Sequence, residues 1–286
     1  MNKPSVFFHI GLHKTGSTWF QRALFPDLPN VEVQRTRKFS IIEKLVAKKR
    51  PKILIISHEG MTGSLNMQQS FGDRGKRLRD SIARISEFHS CAGIIIGFRE
   101  QTSWINSAYA EKAKKRPLSA VEYLSSYSPD DLSWCKILAA ADRAPVPVFG
   151  FLYEELNSDP SALVADLCRF LGTTEPSNLS EILAKRENLS PRGDLGRRAS
   201  RVFFTISRIL KPIPFLSNAK RPLRSLGSKF GARLDRHSVP APTIAFDDAL
   251  AKLLQGDWSK LVEIVGERRG RDFSALAKGA ASRPIA

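Results

Sequence analysis

A chain of 286 residues, 42% hydrophobic and 26% charged, has the make-up of an ordinary globular protein, with room for one large domain and additions. Its formal net charge of +17 favours polyanionic partners: a doubly phosphorylated nucleotide, an acidic glycan, anionic lipid or nucleic acid. Three scattered cysteines, Cys91, Cys135 and Cys168, form no C-x-x-C pair and argue against a disulfide framework or thiolate zinc site, while no run reaches the roughly 18–20 apolar residues of a membrane span.

Taken in order, residues 6–10 form a short apolar run that breaks at Gly11. Small and polar residues surround Lys14, and from Ser17 the pattern becomes helical, to about Phe25. This reads as a buried parallel strand entering a helix through a tight glycine loop. Such a loop turns backbone N–H groups towards one point and binds oxyanions. Lys14, Thr15, Ser17 and Thr18 add a cation and three hydroxyls. A short strand at 31–33 and a helix at 39–49 follow, and Pro51 stops the helix.

Ile53–Ile56 reads as a second buried strand that delivers Ser57, His58, Glu59 and Gly60 at its carboxyl end. In open α/β sheets that edge is where ligands bind, so this tetrapeptide is expected beside the loop. A basic helix is expected over 72–88 and a third strand over 92–98, ending at Arg99, with a helix through Trp104, Ser107 and Tyr109. Helical stretches at 120–126 and 132–141 precede a strand at 146–152. Asp159-Pro160 opens a helix that Gly172 closes. Alternating strands and helices predict an α/β fold with a parallel sheet flanked by helices.

Residues 185–236 differ: fourteen Lys/Arg stand against three Asp/Glu, with four prolines. Val202, Phe203, Phe204 and Ile206 lie in an amphipathic stretch suited to an anionic surface or to packing on the domain. Helix is expected again over 249–265, and fraying over about the last ten residues. The organisation is therefore a core at 1–185, a basic extension at 186–240, mostly helical, and C-terminal helices at 241–286 that pack back on the core. With too short an N-terminal apolar run for a secretory signal, a cytoplasmic location is expected, with membrane contact at most peripheral to the inner face.

An ATP or GTP loop reads G-x-x-x-x-G-K-[ST]. Here Gly11 and Gly16 have that separation, but Ser17 occupies the lysine position and Lys14 lies inside the loop. The motif HxGxHKTGSTxxQ instead resembles the 5′-phosphosulfate loop of the sulfotransferases that use PAPS (3′-phosphoadenosine 5′-phosphosulfate). Arg99 ending a strand, with Ser107 eight residues on, resembles that family's 3′-phosphate segment, although Gln101 replaces its usual proline. The run from Tyr153 through Glu154, Glu155 and Leu156 to Asp159-Pro160 and Phe170-Leu171-Gly172 resembles the segment closing the family's core. The resemblance spans residues 4–185, with a looser match at 257–276.

The resemblance implies a P-loop-like fold and sulfuryl transfer from PAPS, leaving PAP, to a hydroxyl or amine on a glycan, lipid or small metabolite. It implies no metal, and no sequence-specific nucleic acid is expected as a partner. Lys14 would act on the leaving group, with His13 shaping the loop and Thr15, Gly16, Ser17, Thr18 and Trp19 around the nucleotide. Arg99 and Ser107 would hold the 3′-phosphate and Tyr153 would reach the adenine, with Arg192 and Arg197 above. His58 is the first candidate for the base and Glu59 the second; His9 reads as core. The rivals are an ATP-dependent kinase with an aberrant loop and a non-enzymatic polyanion-binding protein.

Overall fold

The computed structural model describes residues 4–36, 38–47, 52–59, 80–81, 83–85, 91–113, 119–127, 132–184 and 244–279. The basic segment and Arg192 lie outside these, as do Gly60 and most of the stretch 72–88, whose described residues are helical. The chain divides into two compact units. One comprises Met1–Trp104, Ser126–Lys185 and Phe246–Ala286; the other comprises Ile105–Ser125 and Arg186–Ala245. In the second, Tyr109 packs on Tyr123 with ring centroids 5.4 Å apart, and Ile244 N–H donates to Asn106 Oδ1.

The first unit is built on five parallel strands: β1 (Ser5–His9), β2 (Val31–Gln34), β3 (Ile53–Ser57), β4 (Cys91–Phe98) and β5 (Val148–Leu152). They lie in the order β2-β3-β1-β4-β5. β3 and the centre of β4 are closed to solvent on both faces, as continuous apolar runs in a parallel sheet must be. Each such isoleucine or leucine contributes about 1.5–3 kcal/mol by burial. One face of the sheet carries Phe7, Phe149 and Phe151 against Trp19, Phe20, Phe25, Leu163 and Leu167.

Between β1 and β2 the expected helix is three unlike turns: α1 (Ser17–Trp19), a π turn (Phe20–Leu24) and a 3₁₀ turn (Phe25–Asp27). Pro26 offers no N–H and crowds the carbonyl one turn back, and the turn before it widens. Next come α2 (Phe39–Ala47), α3 (Gln101–Ala113), α4 (Ala120–Leu124), α5 (Trp134–Ala141) and α6 (Glu155–Ser158). The order ends with α7 (Pro160–Leu171), α8 (Leu179–Ala184), α9 (Asp248–Arg269) and α10 (Ser274–Gly279). α7 starts and stops as its sequence requires. Asp159 Oδ1 accepts from Ala162 N–H, Pro160 takes the first position, and Gly172 turns left-handed at φ 71°. α10 runs into the stretch expected to fray. Among the described residues, no helix is long and apolar enough to cross a membrane.

α9 is fastened to the sheet by buried charge. Arg269, with 7% of its side chain exposed, pairs with Glu155 (1%) at 2.7 Å and with Asp166 at 2.5 Å. Its guanidinium lies 5.2 Å from the ring centroids of both Phe149 and Phe273. Glu155 also accepts from Leu152 N–H at 2.8 Å, so this pair ends β5 and sets where Tyr153 begins. Burial pushes the Glu155 carboxyl up, and the charge of Arg269 opposes it. Removing one partner from such a pair leaves an uncompensated buried charge. Arg269→Met is therefore expected to cost about 3–5 kcal/mol in urea unfolding. The double variant Arg269→Met, Glu155→Gln should regain much of that loss. Equal stability of the wild type and Arg269→Met would show that the pair does not hold α9.

Candidate functional site

Because all five strands run the same way, their carboxyl ends share one edge. There β1 leads into the Gly11–Gly16 loop, β3 into His58 and Glu59, β4 into Arg99 and Glu100, and β5 into Tyr153 and Glu154. Pairing continues past the strand ends: Ile10 N–H donates to Ile95 O at 3.0 Å and His58 N–H to His9 O at 3.1 Å. The loop thus leaves the sheet between β3 and β4, where the strand order reverses.

Two loop residues are left-handed, Lys14 at φ 70° and Gly16 at φ 85°. For lysine this costs of order 1 kcal/mol, so surrounding contacts must impose it. They do so through three successive carbonyls. Leu12 O accepts from Thr15 Oγ1 at 2.6 Å, His13 O from Trp104 Nε1 at 2.5 Å, and Lys14 O from Arg99 Nη1 at 3.4 Å. Peptide planes that turn carbonyls to these donors turn the N–H groups away from them, which is how an anion-binding nest is made. At Gly16 a Cβ would stand 2.8 Å from Leu156 Cδ1 and 3.4 Å from Tyr153 Cδ2, so the conformation and the packing both demand glycine.

Behind the loop runs a polar chain through the core. Gln21 Nε2 donates to Ser57 Oγ at 2.8 Å, and Ser57 Oγ lies 2.7 Å from His9 Nδ1. Burial lowers the His9 pKa to about 4, so the ring is neutral. Ser57 Oγ already accepts from Gln21, so its own hydrogen is assigned to Nδ1 and the His9 proton to Nε2. Nε2 is buried without a hydrogen-bond partner, as is Ser17 Oγ, and both border Gly11. A Cβ on Gly11 would meet Ser17 Oγ at 2.6 Å and His9 Nε2 at 3.2 Å. Two unsatisfied donors lining a glycine loop suit an anion, since a buried donor without a partner is costly.

On the β3 side, His13 Nδ1 lies 2.9 Å from Glu59 Oε2, with about a quarter of each side chain exposed. Burial pushes the Glu59 carboxyl up, but the His13 hydrogen bond and charge prevail and hold it below the ordinary range. Ser17 Oγ adds to that pull without a hydrogen bond of good geometry. His58 is half-buried beside this pair in sequence.

On the β4 side, Arg99 spreads its fork over Ser103 Oγ, at 3.1 Å from Nε and 2.8 Å from Nη2, and stacks 4.5 Å from the Tyr153 ring centroid. Tyr153 therefore sits between Arg99 and Gly16. Glu100 caps α3 by accepting from Thr102 N–H and Ser103 N–H, and Glu100 N–H donates to Glu154 Oε1 at 3.1 Å.

Several expected residues meet here. Lys14, Thr15, Gly16, Ser17, Arg99 and Tyr153 are joined by contacts, and Glu59 is joined to His13. Thr18 is half-buried at the first turn of α1. Trp19 lies in the apolar core, on Phe20 at 5.0 Å, with Nε1 donating to Ile182 O at 3.3 Å. Ser107 falls in the second unit, further along α3, and the hydroxyl on Arg99 is that of Ser103. Helical spacing could have found Ser103, four residues after Arg99. No local signal marks the His13–Glu59 pair, which joins residues 46 apart.

Glu154 went unremarked in sequence beyond its place in the motif. Burial raises its carboxyl to about 7 against the pull of Glu100 N–H and Arg99, and Oε2 has no hydrogen-bond partner. From about pH 4.5 to about 7 the unfolded chain releases this proton while the folded protein keeps it, so stability falls as pH rises. Glu154→Gln cannot titrate. Its unfolding free energy relative to wild type should therefore improve steadily across that window and level off above it. Parallel pH profiles for the two proteins would show that Glu154 ionises normally.

No family model matches this chain, and neither does any curated protein. Among solved structures it is similar to a sulfotransferase from Alicyclobacillus acidocaldarius, at 14% identity and a TM-score of 0.49, over 97% of this chain and 100% of that one.

Proposed function

We propose that this protein is an enzyme that moves a sulfuryl group from PAPS to a hydroxyl or amine. The observation that carries the reading is the loop itself: Lys14 is left-handed inside a glycine-bounded turn, and its carbonyl is tied to Arg99. That contact brings a second cation to the loop on the side opposite Glu59. Two cations borne on or beside the loop and two buried polar atoms without partners suit a nucleotide charged at both 5′ and 3′ positions.

Transfer of this kind passes through a loose, in-line transition state, and catalysis is mainly positioning and charge neutralisation. As the acceptor's lone pair forms the new bond to sulfur, the bond from sulfur to the bridging oxygen breaks. Its electrons pass to the 5′-phosphate, where Lys14 offsets the developing charge. Ser17 and Thr18 hold that phosphate with the loop backbone, to which Thr15 adds only its N–H because its hydroxyl is bound to Leu12 O. Arg99, stacked on Tyr153, presents its fork to the 3′-phosphate. The acceptor's proton passes to a base. Between the two candidates, the pairing with His13 favours Glu59 over His58, because it keeps a half-buried carboxylate ionised and aimed. This reverses the order expected from sequence. The net charge of +17 favours an anionic acceptor.

Calorimetry tests the nucleotide class without knowledge of the acceptor. PAP should bind tenfold to a hundredfold tighter than ADP, the worth of one charged hydrogen bond at about 1.5–3 kcal/mol. Arg99→Ala should remove most of that preference, and Lys14→Ala should weaken both ligands. Equal binding of PAP and ADP to the wild type would end the proposal. Once an acceptor is found, Glu59→Gln should lower turnover by roughly 10²–10⁴-fold with PAP affinity retained. If His58→Ala carries that loss instead, the base is His58.

A further inference from the structure

We propose that His13 is the positioning residue for Glu59, so that one loop carries both halves of the reaction: the group that meets the leaving phosphate and the group that orients the proton acceptor. The inference rests on the sulfuryl-transfer reading and deepens it. His13 immediately precedes Lys14, and its Nδ1 lies 2.9 Å from Glu59 Oε2, joining the segments that follow the paired strands β1 and β3. Both neighbours of the pair are constrained. His13 O is held by Trp104 Nε1, and Lys14 by its left-handed backbone and the bond from Arg99. The imidazole is therefore mounted on a backbone that cannot shift without breaking the phosphate-facing turn. Glu59 stands in the short stretch after β3.

Among the groups that act on Glu59 are His13, from the loop, and His9, from β1, with the Ser17 hydroxyl as a neutral dipole. All three belong to the β1–α1 segment. His9 is buried and neutral, which leaves His13 as the dominant partner. An ionised carboxylate can only accept, so Nδ1 carries a proton in this bond. Without it, burial acts on Glu59 unopposed by its main partner and drives the carboxyl towards its protonated form, which cannot take a proton from the acceptor. A loop displaced by loss of the phosphate contacts would carry His13 with it, coupling nucleotide binding to acceptor activation.

The test uses the full chain and two substitutions. His13→Ala removes the donor, while His13→Asn places an amide N–H near the position of Nδ1. Glu59 is followed by carboxyl ¹³C NMR over pH, its resonance assigned by loss in Glu59→Gln. Turnover is followed as release of PAP from PAPS with water as the acceptor. His13→Ala should raise the Glu59 midpoint above the ordinary carboxylate range and slow PAP release roughly tenfold, moving the acidic limb of the rate profile upward. KM for PAPS should change little. His13→Asn should restore both the midpoint and most of the rate. A merely structural role would make both variants alike and leave the midpoint unmoved, and either result overturns the inference. If wild-type protein fails to bind PAP while the Glu59 titration still depends on His13, the functional reading falls and the contact stands. Normal PAP binding with an unshifted Glu59 removes this inference alone.

Discussion

Parallel pairing of β1 with β3 on one side and β4 on the other sets the position of every residue considered above. Register places His9 opposite Ser57 and Ile95, so the chain that leaves β1 emerges between the ends of two closed strands. It can go only upward and over, and the turn must be tight. Glycine at 11 and 16 makes that turn sterically feasible, and the carbonyl contacts at residues 12, 13 and 14 dictate its shape. The loop is held by its neighbours more than by its own propensities, which is why a lysine tolerates the left-handed region there.

The polar groups divide into two layers around that loop. Beneath it, Gln21, Ser57 and neutral His9 form a buried chain that ends in an unsatisfied Nε2–H. At the edge, Glu59 with His13 stands on one side and Arg99 with Tyr153 on the other. Donors left unpaired in the lower layer are costly, and the carbonyl contacts at residues 12, 13 and 14 hold the loop in place above them. The Arg269–Glu155 pair serves the same end from further away, since Glu155 ends β5 and so sets the start of the Tyr153 turn.

The acidic groups near the edge share one upward push and differ in what opposes it. Burial raises Glu59, Glu154 and Glu155 alike, and the outcome depends on the partner. His13 overcomes burial at Glu59. At Glu154 a backbone N–H and the nearby Arg99 do not, and the carboxyl rises to about 7. Arg99 is itself engaged with Ser103 and the Lys14 carbonyl, which limits what it offers to Glu154. Glu59 thus ends below the ordinary range and Glu154 and Glu155 above it because of what tertiary packing sets against each.

The five strands, their parallel arrangement and the tight glycine-bounded loop after the first of them were legible in the residues themselves. A β-branched run such as Ile53–Ile56 and a break such as Gly11–Gly16 are local facts about backbone preference and burial. The start of α7 at Asp159-Pro160 and its stop at Gly172 were legible for the same reason, because caps act within one turn. Pairing across the chain was not. Nothing local in His13 or Glu59 announces that they meet, and Arg99 takes Ser103 through a rotamer choice that spacing alone leaves open. The burial of Trp19 in the core and the pull on Glu59 both arise from contacts between residues distant in sequence. Local chemistry determined which elements form, and only the tertiary structure decided which side chains at their ends act together.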